Sequence, residues 1–435
     1  ALLGFYHQRS GMDLDTAIAG QWARKGGHPD TEVLIHASAS SESRPEGTVI
    51  SSPKGWYDAG DYNKYIVNSG YSLGLIAEVF LMFPQQYVHG EDFGDFARKI
   101  RKLYGPVHEE LEYNEQWMWT MQDPEDGGVY HKLTTPNFEG FVRPTECSQP
   151  RYAVQKSVTA ALDFAGALCS MAQLNLMSWI GKHINPVVAK RRYDKAEAAY
   201  AWAKAHPDAL YDQDKINQTY DPDITTGAYG DNSADDEFFW AASSLYLATK
   251  KPEYLEDVKK YFPERFDLMT WGYVAPLGIF NWLQYEKFMT AEKVHYTGES
   301  YYDKAEDIYK YKEYTITEQE QEIIDRCKAM LLEYCDAAIL DAEGSCYNSP
   351  YGNKPEDFRW GCASSFCDQA ICFLYAGEWK GMGYERGRID LAVLDKGKYL
   401  LTVAAIHSSG LEGEVLTIHL RQRQGLRSVI KGNHC

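Results

Sequence analysis

Apolar residues recur at helical spacing over eight stretches of this chain: 69–84, 107–121, 156–175, 190–205, 235–249, 272–289, 317–340 and 361–376. Positions three and four apart share one face of a helix, so each stretch carries an apolar stripe to be buried against a neighbour. Period-2 alternation, the mark of a half-buried strand, is confined to 399–406 and 415–420. Such a chain packs helix on helix, an all-α class. Thr315 followed by Glu318, and Ser157 ahead of an Ala-rich run, supply helix starts. The segments between, 40–62, 122–150, 211–233 and 341–358, are long and rich in Gly, Pro, Asp, Tyr and Trp. Loops held on a rigid frame are where binding and chemistry concentrate. With 435 residues the chain can bury a large core, in one barrel or in two or three domains, and no internal repeat divides it.

One loop stands out chemically. Residues 55–65 read Gly-Trp-Tyr-Asp-Ala-Gly-Asp-Tyr-Asn-Lys-Tyr. Asp58 and Asp61 lie three apart in a turn relieved by Gly55 and Gly60, which can take φ > 0. Two carboxylates so placed can face one water molecule, as hydrolysis of a glycosidic bond requires. Trp56, Tyr57, Tyr62 and Tyr65 offer flat faces of the kind that stack on sugar rings. The same residues also make an ordinary turn, with Asp capping a helix and Gly bending the chain. Paired carboxylates would raise one another's pKa, and Lys64 or backbone N–H groups of the turn are placed to offset that.

Charge narrows the partners. The formal net charge is −18, which argues against nucleic acid or an anionic membrane, whose binding rests on basic patches. It suits an uncharged polymer, and suits plain solubility as well. Aromatic residues make up 14%, enough to wall a carbohydrate cleft beyond what the core needs. No apolar run reaches the roughly 20 residues of a membrane span. Cys362, Cys367 and Cys372 recur every five residues in an apolar segment. Zinc ligation is one reading of them, and buried small hydrophobes are the preferred one.

The longer string Ser-Ser-Pro-Lys-Gly-Trp-Tyr-Asp-Ala-Gly-Asp-Tyr-Asn-Lys-Tyr (51–65) resembles the nucleophilic-water motif of glycoside hydrolase family 9, the inverting cellulases. Further stretches resemble that family in the same order: Trp-Thr-Met-Gln-Asp-Pro-Glu-Asp-Gly-Gly-Val-Tyr-His-Lys-Leu (119–133) and Pro-Arg-Tyr-Ala-Val-Gln-Lys-Ser (150–157). Thr-Thr-Gly-Ala-Tyr-Gly-Asp (225–231), Asp-Glu-Phe-Phe-Trp-Ala-Ala (236–242) and Phe-Arg-Trp-Gly-Cys-Ala-Ser-Ser (358–365) follow. The resemblance implies an (α/α)6 barrel of six inner and six outer helices, incomplete at the C-terminus. It implies hydrolysis of β-1,4-glucosidic bonds in cellulose or a related β-glucan, by a monomer and with no required cofactor. The partner is the β-glucan or a cello-oligosaccharide. Ala1 already lies against the family-like Phe5-Tyr-His-Gln-Arg-Ser, so no signal peptide is visible and export is implied by the resemblance alone.

By the same resemblance Asp61 is the base and Asp58 helps hold the water, both ionised in polar, hydrogen-bonded surroundings. His131 is similar to the family's histidine beside the scissile bond, although a satisfied structural histidine reads the same way. Tyr229, Trp271 and Trp360 fall on segments whose rings line the family's cleft, or are core. Asp236 and Glu237, with Asn232 and Ser233 upstream, resemble a structural calcium site found in some members. Acids interacting with a helix dipole explain that pair without a metal.

After Tyr375 the resemblance stops, giving a barrel over 1–376 and a divergent tail over 377–435. There the family carries a further helix pair, a His-rich loop ending in Arg, and the Asn-Glu that holds the catalytic acid. Glu378, Glu385, Glu412 and Glu414 do not match that context, and none inherits the acid's role. Leu-Arg-Gln-Arg-Gln-Gly-Leu-Arg (420–427) is abruptly basic. A shifted reading frame accounts for this. Codons for 405–409 read two bases later can spell Tyr-Ser-Phe-Val, and those for 424–428 Gly-Ile-Glu-Glu, both family-like. The alternative to an enzyme is a non-catalytic β-glucan binder on the same scaffold.

Overall fold

The computed structural model describes residues 2–82, 107–176, 186–290, 300–303, 308–311, 315–343, 351, 354–358, 361–379, 384–385, 388–389, 399–404 and 415–420. Of the candidate residues, Trp360, Glu412 and Glu414 lie outside this set. The chain divides into two compact units: Ala1–Glu264 with Met269–Ile324, and Arg265–Leu268 with Asp325–Cys435.

All eight periodic stretches are helical. They are Ile66–Met82, Val107–Thr120, Val158–Leu176, Pro186–Ala205, Asp235–Thr249, Ala275–Thr290, Glu318–Glu343 and Cys362–Trp379. Ser157 caps its helix as expected, its Oγ accepting from the Ala160 N–H at 3.2 Å. The later cap sits two residues beyond the expected pair. Thr317 Oγ1 accepts from the Glu320 N–H, and Glu320 Oε2 accepts from the Thr317 N–H, a reciprocal capping box. The helix Pro252–Lys260 is an addition, nine residues long, that buries Tyr254, Leu255 and Val258.

In the first unit, helix Val158–Leu176 packs against Ile66–Met82, Pro186–Ala205 and Asp235–Thr249. Between Ile66–Met82 and Val158–Leu176 lies the buried Trp240 of helix Asp235–Thr249. A Cβ on Gly74 would lie 2.5 Å from the indole and one on Gly166 2.6 Å, so glycine is what lets these backbones close on the ring. Forcing a methyl in at either position costs on the order of 1–3 kcal/mol.

The unexpected element is a five-stranded sheet of very short strands. Its members are β1 (Val33–Ile35), β2 (Val49–Ile50), β3 (Lys64–Tyr65), β4 (Lys132–Thr134) and β5 (Tyr152–Ala153), in the order β2-β1-β5-β4-β3. Only β1 and β5 run parallel. Strands of two or three residues show no alternation to read. Yet β3 follows the acidic turn directly, and Tyr65 pairs with Lys132 across β3 and β4. The tail strands Tyr399–Ala404 and Val415–Leu420 fall where alternation placed them, and pair antiparallel.

Candidate active site

The turn at 58–63 closes on itself. The Asp58 N–H donates to the Asn63 carbonyl at 3.1 Å, and the Gly60 N–H to the Asp58 carbonyl at 3.2 Å, with Gly60 at φ 94°. Gly55, at φ 86°, lies where a Cβ would meet the Trp117 ring at 2.8 Å. Trp56 donates from Nε1 to Glu110 at 2.7 Å and from its N–H to Asn114 at 3.0 Å. Tyr57 donates from its hydroxyl to the Gly27 carbonyl at 3.0 Å. Both rings are only 5% exposed. This corrects the stacking role read for Trp56 and Tyr57: their faces are used in the core, and they anchor the turn.

The two aspartates are half-buried and, among the described residues, neither forms an ion pair. Asp58 accepts from Asn68 Nδ2 at 3.0 Å and from the Tyr229 hydroxyl at 2.5 Å. Asp61 accepts through Oδ2 from Asn63 Nδ2 at 2.6 Å and from the Tyr65 hydroxyl at 2.8 Å. Both side-chain bonds fall on Oδ2, and the Asn63 N–H also favours the charged carboxyl, the backbone offset read for this turn. Burial lifts the Asp61 carboxyl above its ordinary pKa and the Asp58 charge adds to that, while the Asn63 and Tyr65 bonds oppose it. Its surroundings are therefore drier than the ionised, polar setting expected.

Lys64 is not the compensating cation. Its buried ammonium is 2.7 Å from Asp30, which Arg151 also binds at 3.1 Å. The signal missed in the sequence was the ring of neutral donors, Asn63, Tyr65 and Asn68, spaced two to ten residues beyond the acids. Tyr65 and Asn63 were legible there as neighbours; Asn68 was hidden inside a helical pattern.

Tyr229 has φ 50°, a left-handed backbone uncommon for an aromatic residue. That conformation aims its hydroxyl at Asp58. Its ring meets Tyr65 edge-on at 4.6 Å and Trp271 at 5.0 Å. Trp271 is 38% exposed, so an open aromatic face stands next to the acid pair. His131 does not join it. The ring is fully buried, stacked on Tyr211 at 4.0 Å, with Nδ1 2.8 Å from Ser157 Oγ and Nε2 2.9 Å from the Ala228 carbonyl. Burial pushes it down to about 3, so it is neutral. Of the two readings open for His131, the satisfied structural residue is the one observed. An open depression of about 430 Å³ lined by Arg44, Ile50, Trp119, Gln122 and Lys195 includes neither aspartate.

Asp236 and Glu237 lie in the first turn of helix Asp235–Thr249, where acids complement the dipole. Asp236 accepts from the Val274 N–H at 2.6 Å. Glu237 Oε2 and both oxygens of the buried Asp163 find no protein partner. Burial first, and repulsion from Asp236 second, holds the Asp163 and Glu237 carboxyls well above their ordinary values. Orphaned oxygens are calcium-like donors, but among the described residues no three of these carboxyls converge within 4.8 Å. The side chains that do converge are His28, Glu139 and Cys147, which the sequence did not single out. Cys362 is half-buried, Cys367 exposed and Cys372 buried on one helix, so the three are neither a ligand set nor uniformly core.

The description "Glycosyl hydrolase family 9" matches the chain over residues 1–406, about thirty residues past the boundary read at 376. A xyloglucan-specific endo-beta-1,4-glucanase of Bacteroides ovatus is 46% identical over 382 residues, covering 86% of this chain and 59% of its own. Endoglucanase D of Acetivibrio thermocellus is 29% identical, covering 66% of this chain and 43% of its own. The chain thus spans about half the length of these relatives. A solved Bacteroides ovatus GH9 structure superposes with a TM-score of 0.74 at 45% identity, over 87% of this chain and 64% of that one. A thermostable endoglucanase from Alicyclobacillus acidocaldarius gives 0.66 at 25% identity, over 87% and 61%. The fold class is the (α/α)6 barrel of these solved relatives, with a small sheet added.

Proposed function

The chain belongs to glycosyl hydrolase family 9, and from that membership we propose that it cleaves β-1,4-glucosidic bonds of a soluble β-glucan by single displacement with inversion. One observation carries the reading: Asp61 stands beside a second carboxylate, both held by neutral donors and, among the described residues, neither in an ion pair. In this scheme Asp61 takes a proton from water as the water oxygen attacks the anomeric carbon. Asp58, fixed by Tyr229 and Asn68, accepts the water's second hydrogen and orients it. The carbon–oxygen bond to the leaving sugar breaks, and that oxygen needs a proton from an acid some 6.5–9.5 Å across the cleft. Trp271 and Tyr229 supply an apolar wall for one sugar ring.

The acid limits the proposal. The family's glutamate has no counterpart matched by context in 377–435, and lacking it costs about 10²–10⁴ in rate. Xyloglucan is the favoured substrate, because the relative of 46% identity is specific for it. We place the enzyme outside the cytoplasm and read it as a monomer, following the family. Among the described residues no helix is long and apolar enough to cross a membrane.

The test is reducing-sugar release from xyloglucan, carboxymethylcellulose and lichenan, with oligosaccharide binding measured by calorimetry. Weak release that Asp61→Asn abolishes, with binding retained, supports the enzyme. Activity surviving Asp61→Asn removes Asp61 from the base role. Binding without any release makes this chain the glucan binder.

A further inference from the structure

Lys132 sits behind the acidic turn and is used by nothing in the scheme above. It is fully buried on β4, and the strand register sets it opposite Tyr65. Its ammonium donates to three neutral oxygens: Gln213 Oε1 at 2.6 Å, Thr226 Oγ1 at 3.2 Å and the Gly227 carbonyl at 2.6 Å. No carboxylate touches it among the described residues, an expensive way to bury a charge. The Thr226 hydroxyl also bonds Thr134. The Lys132 ammonium lies 5.6 Å from the centre of the Tyr65 ring, and the Tyr65 hydroxyl donates to Asp61. The buried cation thus stands behind the ring that holds the base.

We propose that Lys132 is a positioning residue for Asp61: its buried charge, set behind the Tyr65 ring whose hydroxyl holds Asp61, keeps that carboxyl ionised for its water. The inference rests on Asp61 as base. Burial and the Asp58 charge both press Asp61 toward its neutral form. Lys64 is tied to Asp30 and does not answer them. The groups facing the ammonium are few. Asp61 is the acid that interacts with it, the Tyr65 and Tyr211 rings lie 5.6 and 5.4 Å away, and His131 beside it is neutral. Burial brings the lysine itself down to about 7.

The experiment titrates carboxyl ¹³C signals of the whole chain without substrate, with Asp61 assigned by its loss in Asp61→Asn. Lys132→Gln keeps a donor and removes the charge. It should raise the pH at which Asp61 titrates by about one unit, tenfold in proton affinity, and move the acid limb of kcat/KM equally. A lysine needed only for packing would lower activity at every pH and move neither. A folded Lys132→Gln protein whose Asp61 titrates as in the parent overturns the proposal. Should that variant not fold, Asp61→Asn on the half-exposed turn reads the coupling from the other side. By reciprocity the Lys132 ammonium must then release its proton about tenfold more readily, seen in side-chain ¹⁵N spectra. An unmoved lysine sinks the proposal. Neither titration needs turnover, so a failure of hydrolysis bears on the proposed reaction and not on this coupling.

Discussion

A general base must be ionised before it can take a proton, and burial works against that at Asp61. The turn answers with donors of no charge: Asn63 and Tyr65 on Asp61, Asn68 and Tyr229 on Asp58. Such bonds stabilise the carboxylates without tying them into salt links that would exclude a water. Tyr229→Phe tests this economy, since it leaves Asp58 Oδ2 bare while keeping the ring that touches Trp271. We expect kcat to fall about tenfold to a hundredfold with KM little changed. Trp271→Ala should do the reverse, raising KM about threefold to tenfold through loss of one stacking face. Steady-state kinetics on xyloglucan separate the two, and a Tyr229→Phe enzyme with normal kcat would detach Asp58 from the water. The raised Asp61 also fixes a sign. Activity should rise with pH through an acid limb lying above the usual aspartate value of 3.8.

Helices and strands differed in how much of them the sequence disclosed. Runs of fourteen or more residues repeat their apolar face several times, so all eight long helices could be read. The strands that carry Tyr65 and Lys132 to one another are two and three residues long, and their pairing is a tertiary fact. For that reason the acids were legible from their motif, while of the two offsets read for them Lys64 proved tied to Asp30 and the backbone N–H of Asn63 serves Asp61. Helix faces also conceal buried acids behind ordinary periodicity. Glu78 is buried on helix Ile66–Met82, accepting from Ser170 Oγ at 2.8 Å and from Gln284 Nε2 at 2.5 Å. Burial raises it to about 8, from 4.5 for a free side chain. The folded state therefore holds a proton that the unfolded chain has lost throughout that window. Stability conferred by this group is complete below pH 4.5 and falls by about 1.4 kcal/mol per unit as pH rises toward 8. Asp163 and Glu237 bend the curve the same way. Denaturant melts between pH 5 and 8.5 should show Glu78→Gln losing part of this slope, and an identical slope in both proteins would mean that Glu78 is not buried protonated.

For the whole molecule the question is what completes it. The family match ends at 406, and the described tail beyond helix Cys362–Trp379 consists of strands, including Tyr399–Ala404 paired with Val415–Leu420. Strands there are at odds with the helix pair that the family resemblance implies, and the local composition turns basic just after them. A shifted frame explains both at once, because it replaces sequence without regard to helical period, charge or the acid's surroundings. On the shifted-frame hypothesis the barrel would lack that pair, and neighbouring helices would carry apolar faces larger than the few hundred Å² a monomer tolerates. We expect the chain as it stands to melt broadly and to aggregate. Reading the underlying DNA is decisive: a family-like continuation in an alternative frame, joined to residues 1–404, should sharpen the melt. It should also raise kcat by about 10²–10⁴ through the returned acid. If neither alternative frame encodes such a continuation, or if the present chain already melts cooperatively at high temperature, the tail is native to this protein and the acid must be sought within it.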